Sequence, residues 1–299
     1  MQRRLAYIIN PISGTKNKDS LKELIAVRTE AAGLPFDFFP SVADGDYSFL
    51  YPIISATGIT DIVIAGGDGT INAAVNSLKH LPVQFCILPM GSGNGLAFSA
   101  HIPKNIEKAL DVVFKGSSEW TDAFMVNDRF ACMLCGLGFD AQVAHDFAND
   151  PARGLTTYIK KTVSNFFISK AYPFQIKTGQ KQIDTEAFFI SIANSNQFGN
   201  NFTIAPKASL TDGLLDVVIV VKQNKLSVLW NTLKQVGGLN QVKEIDKLND
   251  HASVMYFQTD ALEVYNPSSA PMHIDGDPVE TFKQLKVTAL PKCFRLIFP

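Results

Sequence analysis

The chain has 299 residues, of which 46% are hydrophobic and 18% are charged, so a sizeable core is available and the composition argues against disorder. Lys and Arg number 27 against 28 Asp and Glu, and the resulting net charge of −1 argues against a nucleic-acid partner. The same balance leaves no polybasic patch for anionic membranes.

The sequence shows no recognisable targeting segment, and its cysteines resemble buried thiols, which together favour a cytoplasmic protein. No apolar stretch approaches the ~20 residues that a membrane-spanning helix needs, and the apolar run near the N-terminus is too short for a signal peptide. Four cysteines stand in apolar surroundings, which predicts buried free thiols: Cys86, Cys132, Cys135 and Cys293. The CxxC spacing of the second and third leaves a zinc or redox site as an alternative.

The first ~125 residues alternate between strand-like and helix-like hydrophobic patterns. Strands are predicted at 5–9, 36–39, 61–65 and 83–88. Helices are predicted at 18–32, 43–55, 70–78 and 102–115, the second of them interrupted at Pro52. Strands that alternate with helices through short Gly/Pro loops predict a mostly parallel sheet covered on both faces.

A glycine-rich loop follows the third predicted strand and carries an aspartate among its glycines. It reads Gly66, Gly67, Asp68, Gly69, Thr70, Ile71, Asn72. The glycines remove Cβ atoms that would keep a ligand off the backbone, and the N–H groups of the following helix favour an anion. A carboxylate beside a phosphate repels it unless a metal ion or a reacting hydroxyl stands between them. The loop therefore predicts phosphate binding combined with chemistry.

Two further turns follow strands of the same predicted sheet. The first strand ends in Asn10-Pro11-Ile12-Ser13-Gly14, and the fourth is followed by Gly91-Ser92-Gly93-Asn94-Gly95. Loops at the carboxyl ends of parallel strands gather at one edge, so the Gly-rich loops at 66–72 and 91–95 are expected to face one phosphate site. The turn at Asn10 is either a phosphate or adenine contact or an ordinary strand-ending turn. In that site Ser92 would donate to a phosphate and Asn94 would cap a helix.

After residue 119 strand-like runs dominate, which predicts an antiparallel sheet. The runs are 120–126, 129–134, 174–178, 188–193, 215–221, 254–258, 262–265, 285–290 and 293–298. Helical segments are expected at 151–170 and 225–240; the first either packs on the sheet or forms a wall for an acyl chain. Asn127-Asp128 signals a hairpin, and Gly136-Leu137-Gly138 indicates close strand packing rather than a dinucleotide loop.

Two acidic turns in this second part leave alternatives open. The segment 210–216 is either an ordinary turn or a cation site built from Asp212 and nearby carbonyls. The segment 273–278 carries two carboxylates around a glycine. It is either a solvated hairpin or, if it reaches Asp68, the source of a general base at Asp277.

In their order and spacing, these motifs resemble the diacylglycerol kinase catalytic family, which includes bacterial lipid kinases and the sphingosine and ceramide kinases. The resemblance runs essentially end to end and rests on six segments. They are Asn10-Pro11 with Gly14, Gly66 to Asn72, Gly91 to Asn94, Asp122, Asp212-Gly213-Leu214-Leu215-Asp216, and Asp275-Gly276-Asp277.

The resemblance implies an α/β chain of two domains with the active site in the cleft between them. The nucleotide-binding domain would be a parallel-sheet domain like that of phosphofructokinase and NAD kinase, spanning 1–124 with 288–299 returning to it. The lipid-substrate domain would be antiparallel and β-rich, spanning 125–287.

The resemblance also implies roles for individual residues. ATP would be bound by Asn10, Ser41, Gly66, Gly67, Asp68, Gly69, Thr70, Asn72, Gly91, Ser92, Gly93 and Asn94. A structural Mg²⁺ would be held by Ser209, Asp212 and Leu214. Asp68 would organise Mg²⁺ or take part in proton abstraction, Asp277 would accept the proton directly or through water, and Asp122 would orient the acceptor hydroxyl.

Two positions depart from the family pattern. Many bacterial diacylglycerol kinases read GTxND at the second loop, where this chain has Gly95 in place of the carboxylate, and their terminal glutamate is replaced by Asp277. The Gly-Ser-Gly-Asn-x-Leu-Ala form of the loop is more similar to the sphingosine and ceramide kinases.

We therefore expect an ATP- and Mg²⁺-dependent kinase that phosphorylates the hydroxyl of a diacylglycerol or a sphingoid- or ceramide-type lipid. The alternatives are an NAD kinase-like enzyme and a nucleotide-binding regulator without turnover. A lipid substrate at a membrane surface implies a cytoplasmic protein with transient peripheral membrane contact. A homodimer is compatible with the sequence, and nucleic acid is not an expected partner.

Overall fold

The computed structural model of the chain describes residues 3–13, 18–139, 141–142, 170–196, 205, 207–222 and 254–299. Its contacts divide the chain into a first unit, residues 1–122 and 292–299, and a second unit, residues 123–291. Two strands, β5 (Ser117–Val126) and β15 (Gln284–Phe298), run through these boundaries without a linker.

A parallel sheet forms the centre of the first unit. Its strands are β1 (Leu5–Ile9), β2 (Phe36–Pro40), β3 (Asp61–Gly66) and β4 (Gln84–Pro89), in the order β4-β3-β1-β2. Every residue of β1 and β3 is buried, as expected for strands covered on both faces, and the end of β15 joins β4 in parallel. The parallel α/β prediction is confirmed.

Five helices connect or follow these strands. They are α1 (Lys18–Ala31), α2 (Leu50–Thr57), α3 (Asp68–Leu78), α4 (Gly95–Ser99) and α5 (Ile106–Lys115). The last begins four residues later than predicted, because the Asn105 side chain accepts the N–H of Lys108 and caps the helix there.

The helix predicted at 43–55 begins only at Leu50, so the first half of that prediction is wrong. The Asp44 carboxylate accepts the N–H of Asp46, whose own carboxylate accepts the N–H of Ser48. Such local turns compete with helix formation and satisfy the backbone before α2 starts. Pro52 lies in the first turn of α2, where its missing N–H costs no hydrogen bond.

The second unit is antiparallel, as predicted. Its strands beyond β5 are β6 (Arg129–Ala131), β7 (Leu134–Gly138), β8 (Tyr172–Thr178), β9 (Lys181–Ala193), β10 (Leu215–Val221), β11 (Val254–Thr259), β12 (Ala261–Tyr265), β13 (Met272–Ile274) and β14 (Asp277–Val279). Their order is β14-β13-β7-β9-β8-β12-β15, with β10 between β9 and β11. Inward-facing residues of β7, β9, β10, β12 and β13 form its hydrophobic core.

Strand β9 begins at Lys181, seven residues before the predicted start, and β13 and β14 were not predicted. Two further predictions divide the strands differently from the structure. The predicted strand 129–134 is split into β6 and β7, because the N–H groups of residues 132–134 donate to a distant carboxylate rather than to a neighbouring strand. The strands predicted at 285–290 and 293–298 form one strand, β15, which continues through Lys292 at a positive φ of 52°.

Several smaller predictions can be compared directly. Asn127 adopts φ 55° in the β5–β6 hairpin turn, and a Cβ on Gly138 would stand 2.5 Å from the Phe188 carbonyl oxygen, which confirms close strand packing. None of the four cysteines forms a disulfide. Three are buried as predicted, whereas Cys293 is half-buried, so the prediction of a buried thiol is wrong there. None of the helices in the described part of the chain is long and apolar enough to cross a membrane. The helices predicted at 151–170 and 225–240 lie outside the described residues, apart from Lys170.

Candidate active site

The carboxyl ends of the four parallel strands carry the loops in which a nucleotide site was predicted. Asn10 follows β1, Ser41 follows β2, Gly67 follows β3, and the 91–95 loop follows β4. Backbone hydrogen bonds join neighbouring strand ends: Asn10 N–H to Ala65 O at 3.0 Å, Ser41 N–H to Ile9 O at 3.2 Å, and Met90 N–H to Gly66 O at 2.9 Å. The parallel register therefore brings these loops to one edge of the sheet.

The two glycine-rich loops touch each other through their backbones. A Cβ placed on Gly91 would stand 2.6 Å from Gly67 Cα, and one placed on Gly67 would stand 3.1 Å from Gly91 Cα. Neither glycine has a positive φ, so glycine is required here by the close approach rather than by backbone conformation. The predicted association of the two loops is therefore present in the first unit.

The N-terminus of α3 opens from the first of these loops. Gly67 is the N-cap residue with an extended backbone (φ −95°, ψ −178°), and the N–H of Ile71 makes the first helical hydrogen bond, to Gly67 O at 3.1 Å. The N–H groups of Asp68, Gly69 and Thr70 thus precede the ladder of helical hydrogen bonds, and such groups favour an anion. Asp68 lies half-buried in this first turn, and Asn72 follows one turn later.

Asn10 ties the first loop to α3. Its side-chain amide donates to Thr70 Oγ1 at 2.8 Å, while its Oδ1 accepts the N–H of Ile12 at 3.0 Å. Ser13 Oγ donates back to the Asn10 carbonyl at 3.1 Å. Asn10 and Thr70 were both predicted to bind nucleotide, and the structure shows a hydrogen bond between their side chains. Gly14, the last residue of that motif, lies outside the described residues.

Asn94 shapes the second loop from within. It is completely buried, adopts a left-handed backbone (φ 55°), accepts the Gly91 N–H through Oδ1 at 2.7 Å and donates to the Gly91 carbonyl at 2.7 Å. Asn94 stands at the N-cap position of α4 but makes no side-chain cap hydrogen bond, so the expected capping role is replaced by loop closure. Ser92 is exposed at the tip of the loop, Gly93 is half-buried and Gly95 is buried.

Asp122 lies on β5 at the end of the first unit. Its side chain is 1% exposed, and Oδ1 accepts the N–H of Lys292 at 2.7 Å, at the point where β15 has its positive φ. The predicted catalytic aspartate is therefore bound to the backbone of the returning strand.

The predicted structural metal residues form a turn in the second unit. Gly213 has φ 76°, Asp212 Oδ1 accepts the N–H of Leu214 at 3.0 Å, and Ser209 Oγ accepts the N–H of Thr211 at 3.3 Å. The described residues contain no group of three His, Cys, Asp or Glu that could hold a metal ion. One carboxylate, one hydroxyl and backbone carbonyls are oxygen donors of the kind Mg²⁺ accepts with water, so the set fits a hydrated ion.

Another carboxylate beside this turn is engaged with protein groups. Asp216 on β10 is buried, accepts the hydroxyl of Tyr256 and the amide of Gln258 on the neighbouring strand β11, and has a pKa raised mainly by burial. It holds β10 and β11 together.

The hairpin between β13 and β14 contains the two acids noted in the sequence. Asp275 and Gly276 both have positive φ, 51° and 89°, which is the backbone of a tight two-residue hairpin turn. Asp275 is buried, and its carboxylate accepts the N–H groups of Cys132, Met133 and Leu134, each at 2.9 Å. Sequence reasoning had assigned no role to this residue.

Asp277 is the exposed acid of the hairpin. Partial burial of its carboxyl group raises the pKa above the ordinary value, the charge of Asp275 raises it further, and His273 opposes this rise. A carboxyl group with a raised pKa and access to solvent has the properties of a general base.

Two sequence models of known protein families match this chain. A sequence model described as the diacylglycerol kinase catalytic domain matches residues 4–126, and one described as the YegS C-terminal NAD kinase beta sandwich-like domain matches residues 134–298. The chain belongs to the diacylglycerol kinase family. The first match contains every predicted nucleotide residue, and the second contains the 209–214 turn and the hairpin with Asp277.

Relatives of this chain carry matching names. It is 27% identical over 305 residues to a Shewanella frigidimarina protein named "Probable lipid kinase YegS-like", covering 99% of this chain and 94% of that protein. It is 25% identical over 282 residues to a Staphylococcus aureus diacylglycerol kinase, covering 93% and 87%. The crystal structure of a diacylglycerol kinase from Bacillus anthracis superposes with a TM-score of 0.74 at 17% identity, covering 99% and 97%, which supports the fold.

Proposed function

We propose that this member of the diacylglycerol kinase family transfers the γ-phosphoryl group of ATP, with Mg²⁺, to the hydroxyl of a membrane lipid. The observation that carries the proposal is the contact between Gly67 and Gly91 at the N-terminus of α3. A phosphate chain needs backbone N–H groups that no Cβ obstructs, and this edge of the sheet supplies them.

The nucleotide side of the reaction is supported residue by residue in the first unit. The N–H groups in the first turn of α3 would bind phosphate oxygens, and Ser92 at the exposed loop tip would donate its hydroxyl to another. Asn10 and Asn94 hold their loops in shape through side-chain hydrogen bonds. These bonds keep the phosphate-binding backbone in place before ATP arrives, which lowers the cost of binding.

Asp68 is the acidic group nearest to these N–H groups in the chain. In a kinase of this type Mg²⁺ neutralises the phosphate charge that develops during transfer. We assign Asp68 to holding that ion or to taking part in proton abstraction. A second, structural ion is assigned to Ser209, Asp212 and Leu214.

The acceptor side of the proposal assigns the proton to Asp277, directly or through water. Its raised pKa and its exposure support that role. Asp122 is assigned to orienting the acceptor hydroxyl. Its hydrogen bond to the backbone of Lys292 would fix the carboxylate that does so.

The acceptor is proposed to be diacylglycerol or a sphingoid- or ceramide-type lipid, by extension from the relatives' names and from the form of the second loop. A lipid acceptor requires transient, peripheral contact between a cytoplasmic protein and a membrane. A homodimer is compatible with this scheme and would be detected by light scattering of the purified protein.

The test is a radiolabelled-ATP assay with Mg²⁺ on vesicles that contain diacylglycerol, sphingosine or ceramide, with NAD⁺ as a soluble acceptor in a parallel reaction. Label in a lipid product supports the proposal. Label in NADP⁺ would replace it with an NAD kinase-like activity. Thermal stabilisation by ATP without any labelled product would replace it with a nucleotide-binding regulator.

A further inference from the structure

The carboxylate of Asp275 is saturated with hydrogen bonds from the protein. Oδ1 accepts the N–H groups of Met133 and Leu134, and Oδ2 accepts the N–H of Cys132 at 2.9 Å and lies 3.3 Å from the Cys132 thiol. The residue is 6% exposed. A buried carboxylate that accepts three backbone N–H groups has no oxygen directed to solvent for a proton or a metal. Of the two acids in the hairpin, only Asp277 is available for chemistry.

The position of Asp277 depends on the hairpin that Asp275 anchors. Within the described residues, β14 pairs only with β13, over three residues from Met272↔Val279 to Ile274↔Asp277. The turn itself is closed by the N–H of Gly276, which donates to His273 Nδ1 at 3.2 Å, and by the N–H of Asp275, which donates to Leu134 O at 2.8 Å. A three-residue edge strand has few contacts of its own to hold a side chain in place.

The segment that Asp275 binds is itself fixed from the opposite direction. The N–H groups of Asn194 and Ser195 donate to Met133 O at 2.7 and 3.2 Å, and the Asn194 amide donates to Cys132 O at 3.2 Å. Asn194 and Ser195 are both completely buried. Residues 132–134 are thus held from both sides. The hairpin is attached to them through the carboxylate and the N–H of Asp275, and to β7 through the pairing of β13.

We propose that Asp275 is a positioning residue that sets the carboxylate of Asp277 for proton acceptance. This inference rests on the proposed kinase function, in which Asp277 is the base. Charge-assisted hydrogen bonds to three consecutive N–H groups specify both the place and the orientation of the turn, two residues before Asp277. Displacing a catalytic group by ~1 Å can cost about 100-fold in rate, so an anchor of this kind is expected to act on kcat.

The test is a double-mutant cycle between Asp275→Asn and Asp277→Ala, measured by lipid phosphorylation. Asparagine would direct an NH₂ group at N–H donors and break the anchor. Asp275→Asn alone is expected to lower kcat about 10- to 100-fold, with KM for ATP within about twofold of the wild type. In the Asp277→Ala background, Asp275→Asn should lower kcat by less than about twofold, because the carboxylate that Asp275 positions has already been removed. An equal loss in both backgrounds would overturn the proposal.

Asn266→Ala is the matched control for lost stability. Asn266 is a buried residue of the same unit that holds its own turn through three hydrogen bonds, to the N–H and carbonyl of Ala270 and to the carbonyl of Phe282. It does not bond to residues 132–134. We expect a lower Tm comparable to that of Asp275→Asn, with kcat retained. A matching kcat loss in Asn266→Ala would show that Asp275 acts through stability alone and overturn the proposal.

Hydrogen exchange separates failure of this inference from failure of the proposed function. In Asp275→Asn, peptides covering residues 272–279 and 132–134 are expected to exchange faster than in the wild type, which needs no lipid substrate. Unchanged exchange would overturn the anchor whatever the enzyme does. A wild-type protein that phosphorylates no lipid would overturn the proposed function and the catalytic part of the inference, while faster exchange would still establish the anchor.

Discussion

The loop edge of the first unit and the hairpin of the second unit are built in opposite ways. At the loop edge, formed by the loops that follow the four parallel strands, the close approach of two backbones depends on the absence of side chains. Gly67 and Gly91 lack Cβ atoms, and their backbones are in contact. At the hairpin the decisive feature is a side chain, because the Asp275 carboxylate takes the place that a neighbouring strand would fill for residues 132–134. At the first site the N–H groups of a helix N-terminus precede the helical hydrogen-bond ladder, and at the second site backbone N–H groups are bound to a carboxylate.

Under the proposed function, the loop edge serves ATP binding and the hairpin serves the chemical step. N–H groups at a helix N-terminus suit an anionic ligand that binds and dissociates. N–H groups that are already bound to the Asp275 carboxylate hold the hairpin turn in place, so the exposed carboxylate of Asp277 can be kept in one position. Glycine substitutions at the loop edge should therefore change ATP binding, whereas substitutions at the hairpin should change turnover.

The largest expected effect is at Asp68, the acid in the first turn of α3. Asp68→Asn keeps the size of the side chain but removes the charge that the proposed chemistry needs, so phosphate transfer should fall by about 1,000-fold or more. Lipid phosphorylation and Tm are measured together, and Tm should stay near the wild-type value. Asp111→Asn is the control, since it removes a charge from a surface ion pair with Arg28 in the same unit. Wild-type rates in Asp68→Asn would contradict the mechanism.

A smaller effect is expected when the close approach of the two loops is broken. Gly91→Ala would place a Cβ 2.6 Å from Gly67 Cα and force the loops apart, so KM for ATP should rise about 10-fold or more while kcat changes less. ATP-dependent thermal shift provides an independent measurement. Gly33→Ala is the control, because its Cβ would meet no atom within 4 Å but its φ of 68° imposes strain, so Tm should fall without a change in KM. An unchanged KM in Gly91→Ala would argue against a phosphate site there.

Asp122 tests whether one carboxylate can both bind backbone and take part in the reaction. Asp122→Ala removes the acceptor of the Lys292 N–H and should cost about 1 kcal/mol of stability. Asp122→Asn keeps an oxygen acceptor, so Tm should be nearly unchanged while kcat falls about 10-fold if the charge orients the acceptor hydroxyl. Thermal unfolding and lipid phosphorylation of both variants distinguish the backbone role of Asp122 from its proposed role in orienting the acceptor hydroxyl. Wild-type turnover in Asp122→Asn would leave Asp122 with the backbone role alone.

Much of the first unit could be predicted because its signals are local. Strand β1 was predicted at its observed bounds, and α3 and β4 within two residues, since hydrophobic period and glycine position determine such elements over a few neighbours. The helix predicted at 43–55 failed where local signals compete. Asp44 and Asp46 bind the backbone two residues on and delay the helix until Leu50.

The support beneath the hairpin could not be predicted, because its partners are distant in the chain. Asp275 lies 141 to 143 residues from the N–H groups that it accepts, and no periodicity or spacing links them. The same is true of Asp122 and Lys292, which are 170 residues apart. The sequence indicated which acids lie in motifs typical of a kinase. Only the fold shows which of these carboxylates accept backbone N–H groups.

The smallest expected effect concerns the pH dependence of stability at Asp277. Its folded pKa lies above the ordinary value of 3.8, first through partial burial and then through Asp275, so the folded protein holds this proton more tightly than the unfolded chain. Stability from this group is therefore present below the unfolded pKa and is lost as pH rises through the folded pKa. Asp277→Asn should raise Tm at pH 7 by about 2 °C or less, with no gain near pH 3, because solvent screens an exposed group. Glu280→Gln, a nearby exposed acid, should show no such gain. A lower Tm at pH 7 in Asp277→Asn would contradict this prediction. It would mean that the Asp277 charge stabilises the hairpin, whereas we expect it to lower stability while serving turnover.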